Sequence, residues 1–168
     1  MSSFCKFKIG QIVTHPDIIA EFQCGNMGGM RRSKATNSLI IISDHTKGLY
    51  EDKWFGDILH YTGMGKSGDQ DLFFMQNKTL AQSDTNGVEV HLFEVLVPTE
   101  YIYRGVVSLA DNPYQEIQKG DDGLPRKVWM FPLKLQTSSQ SIPEASLSKY
   151  IKEKEKAAEK LSLTELKK

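Results

Sequence analysis

Tyr50, Glu51 and Asp52 stand together, and nine residues beyond Asp52 the chain reads Tyr61-Thr62-Gly63-Met64-Gly65. Two aromatic faces, a carboxylate and a glycine-broken turn within one strand-turn-strand unit are the parts needed to hold a flat, amine-bearing ring. The aromatic rings stack on its faces, an acidic oxygen accepts from its exocyclic amine, and a residue without a side chain leaves room at its edge. Without further context two strand tyrosines are more often packing residues, and an aspartate there more often a turn or cap.

A second feature is basic. Residues 27–43 contain Arg31, Arg32 and Lys34 and no acid. The chain as a whole is neutral, with 21 basic and 21 acidic residues, which argues against a nucleic-acid partner on average. A local patch is what phosphate contacts require, so the cluster keeps that partner open. His15, His45, His60 and His91 have no metal-ligand spacing, and Cys5 and Cys24 are too few and too far apart for a disulfide framework or a CxxC knuckle. His45 beside Asp44 suggests catalysis, but neighbours on a strand face opposite ways.

The elements that must position these groups follow from pattern. Residues 9–13 read as a short strand, and His15-Pro16-Asp17 opens a helix with Ile18, Ile19 and Phe22 on one face. Residues 24–37 are glycine-rich, basic and aperiodic, as a loop would be. The apolar run Leu39-Ile40-Ile41-Ile42 places a buried strand at 38–43, and a second strand at 58–61 ends at the glycines. Residues 63–68 read as a flexible loop carrying Lys66. Leu72, Phe73, Gln76, Thr79 and Leu80 recur at helical spacing and predict a helix over 70–83. After the Asn86-Gly87 turn signal, Val88, Val90, Leu92 and Glu94 alternate with Glu89, His91, Phe93 and Val95, as in a half-buried strand. Strands at 101–109 and 128–135, with a polar turn at 120–123, complete an α+β set: a curved sheet or partly closed barrel with flanking helices. Trp54 and Trp129 are read as core residues.

At 168 residues the chain holds one core and a small appendage. Residues 1–136 form the expected globular domain. Residues 137–168 read as a polar linker and charged helix leading to a domain absent from this chain, with Ser162 and Glu165 starting a further capping-box helix. No apolar stretch is long enough to span a membrane, and no signal region opens the chain, so the expected location is cytoplasmic.

The order Gly10, Gly28-Gly29-Met30, Asn37-Ser38-Leu39-Ile40, Tyr50-Glu51-Asp52 and Tyr61-Thr62-Gly63 resembles the SRA (SET- and RING-associated, or YDG) domain. It continues with Asn77-Lys78-Thr79-Leu80 where that family has Asn-x-Ala-Leu. Tyr103-Arg104-Gly105 stands where it has Tyr-Asp-Gly, and the closing strand reads Val128-Trp129-Met130-Phe131-Pro132-Leu133. The resemblance spans residues 7–135 and is strongest to bacterial members that precede an HNH nuclease in modification-dependent restriction enzymes. It implies a PUA-like barrel that binds duplex DNA and flips a modified cytosine, 5-methyl- or 5-hydroxymethylcytosine, into a pocket. No catalytic residue, cofactor or metal is expected in this domain; a divalent metal belongs to the absent nuclease. A homodimer would use the missing C-terminal region. The competing readings are a PUA-like RNA-binding module and a small hydrolase.

On that resemblance the base-binding residues are Tyr50, Asp52, Tyr61, Thr62 and Gly63. Flipping costs a few kcal/mol; stacking contributes about 1–3 kcal/mol per base, so two tyrosines would roughly offset the cost. Asp52 would accept from the cytosine N4 amine, which selects against thymine, and the space at Gly63 would take the C5 substituent. One buried methyl is worth only about 0.8 kcal/mol, too little for a sharp switch. Arg31, Arg32 and Lys34 are candidates for phosphate or groove contacts, Lys66, Asn77 and Lys78 for the other side of the nucleotide, and Met30 or Met64 for an apolar wedge. Two departures stand out. The segment between the motifs is one residue short, and Arg104 replaces the family's aspartate, a change expected to affect packing more than base reading.

Overall fold

The computed structural model describes residues 5–25, 28–46, 51–66 and 68–136. Tyr50 and the whole of 137–168 therefore lie outside the described residues, and with them the predicted linker and terminal helices. Eleven elements follow in order: β1 (Ile12–Val13), α1 (His15–Phe22), β2 (Met30–Ser33), β3 (Ser38–Asp44), β4 (Lys53–Phe55), β5 (Ile58–Thr62), α2 (Gln76–Ala81), β6 (Glu89–Val97), β7 (Glu100–Leu109), β8 (Tyr114–Lys119) and β9 (Pro125–Leu135).

One mixed sheet runs β2-β3-β6-β7-β9-β5-β4, with β1 beside β7 and β8 beside β9. Among the described residues only β3 and β6 pair in parallel. Both are buried on both faces, and Val90 to Leu96 has no exposed residue. Glu94 is enclosed on the face that alternation gives it, with Val88, Val90 and Leu92. On one face Ile18 and Phe22 of α1 pack with Phe7, Ile40, Ile42, Phe93, Val95 and Tyr103. On the other, Leu39, Ile41, Leu59, Tyr61, Leu80, Leu92, Phe131 and Leu133 form the inner core.

Local chemistry explains where these elements start and stop. Thr14 caps α1 reciprocally with Asp17: Asp17 N donates to Thr14 Oγ1 (3.3 Å) and Thr14 N to Asp17 Oδ2 (2.9 Å). The predicted helix over 70–83 shortens to α2, because Asp71 diverts the backbone into a turn. Its Oδ1 accepts from Phe73 N and its carbonyl from Phe74 N. The predicted loop over 24–37 contains β2, which the basic composition concealed. Strand β7 carries a bulge: Leu92 opposes Gly105 and Phe93 opposes Tyr103, so Arg104 is the extra residue. Gly105 sits at φ 100, which a side chain would strain.

The main-chain ladder leaves the sheet open between β2 and β4. Side chains bridge the seam. The Tyr61 hydroxyl lies 3.1 Å from both the Gly29 and Ile42 carbonyl oxygens and donates its proton to either. The result is the expected α+β curved sheet, not closed by main-chain pairing and flanked by α1 and α2. Among the described residues no helix is long and apolar enough to cross a membrane.

Candidate functional site

Asp52 precedes β4 directly, and its carboxylate reaches across the seam. Oδ2 accepts from the Ser43 hydroxyl of β3 (2.7 Å) and Oδ1 from the Thr62 backbone N–H at the end of β5 (2.7 Å). Burial pushes the Asp52 carboxyl above its usual range, against the lowering effect of the Ser43 and Thr62 bonds. Thr62 is itself buried, and its Oγ1 accepts from Gln118 Nε2 of β8 at 3.2 Å. Gln118 Oε1 accepts from Glu51 N (3.2 Å), so one amide ties the first motif to the second.

Behind Ser43 lies a buried charge hub. Glu94 Oε2 accepts from His45 Nε2 and Trp54 Nε1, each at 2.9 Å, and Oε1 accepts from the Arg104 guanidinium. His45 Nε2 also stands 3.3 Å from Ser43 Oγ, which joins the hub to Asp52. The Arg104 guanidinium carbon lies 5.3 Å from the Trp54 ring centre. Burial raises the Glu94 carboxyl, yet the His45 bond, the Arg104 charge and the Trp54 bond together hold it below its usual value. Burial lowers His45, but the bond and charge of Glu94, with Asp52 and Asp44, bring it out above its usual value. The bulge turns Arg104 inward to this partner, so the residue that departs from Tyr-Asp-Gly supplies the hub's permanent charge. Asp44 makes no bond to the hub; Oδ1 instead accepts from Thr46 N (2.9 Å).

A third cluster fixes the loop after Thr62. Asn77, fully buried, accepts from Met64 N (2.7 Å) and donates to Met64 O and Asp71 O (both 3.1 Å). Gln70 Nε2 donates to Gly63 O (2.7 Å), and its Oε1 accepts from Trp129 N (2.8 Å). A Cβ at Gly63 would stand 2.9 Å from Asn77 Oδ1 and 3.1 Å from Gln70 Oε1 and Phe131. The space predicted to admit a C5 substituent is therefore filled by the protein's own amides. Gly63→Ala should overpack this clamp and cost about 1–3 kcal/mol, read as a lower thermal midpoint; a melt unchanged within error would show that the clamp relaxes freely.

The remaining predicted residues separate by burial. Met30 is a core residue at 4% exposure and is no wedge. Met64 is half-buried against the same core. Arg31 is buried: its Nε donates to Gly28 O (2.9 Å) and Nη1 lies 2.6 Å from His15 Nε2, which corrects its reading as a phosphate contact. Arg32 donates to Ser38 O (3.1 Å) and Asn37 Oδ1 (2.9 Å), bracing its own hairpin. Asn77 is likewise an internal clamp. Lys34, Lys66 and Lys78 are exposed. Among the described residues no group of three or more His, Cys, Asp or Glu is placed to hold a metal ion.

The model of the ScoMcrA-like SRA domain matches residues 9–155. The chain belongs to that SRA family. No curated protein matches it at a significant level. Solved structures share the fold at low identity. The sulfur-binding and SRA domains of ScoMcrA, complexed with phosphorothioated DNA, match with a TM-score of 0.65 at 21% identity, over 86% of this chain and 45% of that one. The SUVH5 SRA domain in complex with methylated CHH DNA gives 0.62 at 20%, over 85% and 98%. The modification-dependent TagI restriction endonuclease gives 0.59 at 19%, over 79% and 51%. This SRA domain spans under half of the ScoMcrA structures, 45% of one and 32% of the other. Its curved sheet with flanking helices is the PUA-like SRA fold. Sequence reasoning missed Ser43, Glu94 and Gln118 in the site, and only the mismatch at Arg104 marked the hub.

Proposed function

We propose that this SRA domain binds duplex DNA carrying 5-methyl- or 5-hydroxymethylcytosine and receives the flipped base beside Asp52, Tyr61 and Thr62. Tyr50 would supply the second stacking face. The supporting observation is the carboxylate of Asp52, held by Ser43 and the Thr62 N–H at the mouth of the Tyr-Thr-Gly turn. Each carboxylate oxygen offers two acceptor sites, and the Ser43 hydroxyl and the Thr62 N–H occupy one on each. The cytosine N4 amine is a donor of the right kind, and thymine offers an acceptor in its place. Tyr61 is buried with the inner core at 4% exposure and its hydroxyl is engaged across the seam, so it would offer the base only its ring face, and only once base entry displaces what covers it. Membership in the family and the fold shared with DNA complexes support the same partner. Exposed Lys34, Lys66 and Lys78 would meet phosphates.

The larger protein is proposed to be a modification-dependent restriction endonuclease, with residues 137–168 leading to an HNH nuclease and this domain giving specificity. A labelled duplex with one modified cytosine should bind several-fold tighter than its unmodified twin, and 2-aminopurine beside that base should brighten. A phosphorothioate duplex and a single-stranded RNA complete the panel. Equal affinity across cytosine, 5-methylcytosine and 5-hydroxymethylcytosine would overturn the reading, and preference for the sulfur-modified backbone would redirect it.

A further inference from the structure

One concentration of apolar surface is left unused by the pocket. Phe73, Phe74 and Met75 are consecutive and 66%, 45% and 60% exposed. Their exposure does not come from an unanchored loop. Phe73 N donates to Asp71 Oδ1 (2.9 Å), Phe74 N to Asp71 O (3.1 Å) and Asn77 N to Phe74 O (3.0 Å). Met75 stands at φ 46 and ψ −123, a conformation that a residue with a side chain rarely adopts and that the surrounding bonds must hold.

The turn is also fastened to the pocket. The Asn77 amide that donates to Asp71 O at the base of the tip donates to Met64 O beside Gly63. One buried side chain thus fixes both the loop after the Tyr-Thr-Gly motif and the apolar tip. Exposed lysines lie to either side of it in the chain. Lys78 follows in α2, Lys66 lies on the loop after Gly63, and Lys127 is tied to the segment before the turn: its N donates to Asp69 Oδ1 and its carbonyl accepts from Gln70 N (both 2.8 Å). The carboxylates of the turn, Asp69 and Asp71, are bonded to main-chain N–H groups, and rings and a thioether with exposed lysines before and after them suit entry into a base stack between two phosphate backbones.

We propose that the turn bearing Phe73, Phe74 and Met75 is the wedge that enters duplex DNA where a base leaves the stack. The inference rests on the base-flipping reading and gives this turn the role that Met30, buried in the core, does not fill and that Met64, half-buried against it, offers less exposed surface for. The test uses the whole chain with Phe73→Ser and Phe74→Ser combined, and Phe73→Trp alone. Both positions face solvent, so the melts should match wild type. Affinity of the double variant for an intact 5-methylcytosine duplex should fall about tenfold or more, the scale of one lost aromatic–base stack. Affinity for the same strand without its complement, which has no duplex stack to enter, should change less than twofold. The indole introduced by Phe73→Trp should be quenched by the duplex, read as the variant's emission less that of wild type. Binding of the double variant to the duplex within twofold of wild type, with its preference intact, would overturn the wedge and leave the flipping reading standing. An equal loss on single and double strands would also overturn it, marking a general contact. A wild-type chain with no 5-methylcytosine preference and no 2-aminopurine brightening would bring down both.

Discussion

Glu94→Ala should lower folding stability by about 3–5 kcal/mol, the cost of leaving one buried charge without its partner. Arg104 would remain enclosed with its carboxylate gone, and its Nε already has no hydrogen-bond partner among the described residues. His45 and Trp54 would lose their acceptor together. Against a total of about 5–15 kcal/mol for a folded domain, that is a large share. Chemical denaturation gives the loss directly, and the thermal midpoint should drop by roughly 6–20 °C. Glu94→Leu combined with Arg104→Met should recover most of it, because an apolar pair of similar volume removes the desolvation cost. The hub also has a pH window. Glu94 has a depressed value, so its contribution is complete above its ordinary 4.5 and is lost as pH falls through the folded value. His45 has a raised value, so its contribution is complete below its ordinary 6.5 and is lost as pH rises through the folded value. Both are in force between 4.5 and 6.5. The stability difference between wild type and Glu94→Ala should be largest there. A loss under about 1 kcal/mol near pH 6, below the range for a broken buried pair, would show that the hub carries no such weight.

The parts of this fold that the sequence discloses are those decided by near neighbours. The run Leu39 to Ile42 is apolar because β3 has core on both faces, and that run can be seen without knowing what covers it. Thr14 and Asp17 cap α1 three residues apart. Asp52 and Thr62 lie close in the chain as well as in space, so half of the site is legible as a motif. Ser43, Glu94 and Gln118 are different. Each reaches the site through strand pairing: Ser43 sits beside Glu94 because β3 and β6 run parallel in register, and Gln118 meets Thr62 across β9. No local pattern announces that. The helix predicted over 70–83 begins only at Gln76 for a related reason. The spacing of Leu72, Phe73, Gln76 and Leu80 is helical, but hydrogen bonds from Phe73 and Phe74 to Asp71 outweigh periodicity over that stretch. The same turn exposes Phe73, which a helix would have buried beside Leu72.

Asp52→Asn should reduce affinity for a modified-cytosine duplex by about 10–100-fold while leaving the fold intact, since a hydrogen bond to a charged group is worth about 1.5–3 kcal/mol. The amide oxygen can still accept from Thr62 N, and Ser43 can rotate to accept from the amide nitrogen, so both structural bonds have replacements. What disappears is a charged acceptor facing the ring. Wild-type binding should also weaken on the acid side, because burial raises the Asp52 carboxyl and its protonated form cannot accept in the same way. The sign for stability is the reverse. A raised carboxylate contributes most below its ordinary 3.8 and loses that contribution as pH rises through the folded value, so the free domain holds ionised Asp52 at a cost. An incoming amine relieves part of that cost, and binding should therefore release a proton in the range where free Asp52 is partly protonated. Anisotropy titrations across pH, with calorimetry in buffers of different ionisation enthalpy, measure both effects. Asp52→Asn should lack the proton release and respond less to acid. If it keeps wild-type affinity and pH profile, Asp52 is a brace for the Ser43–Thr62 seam, and another group reads the base.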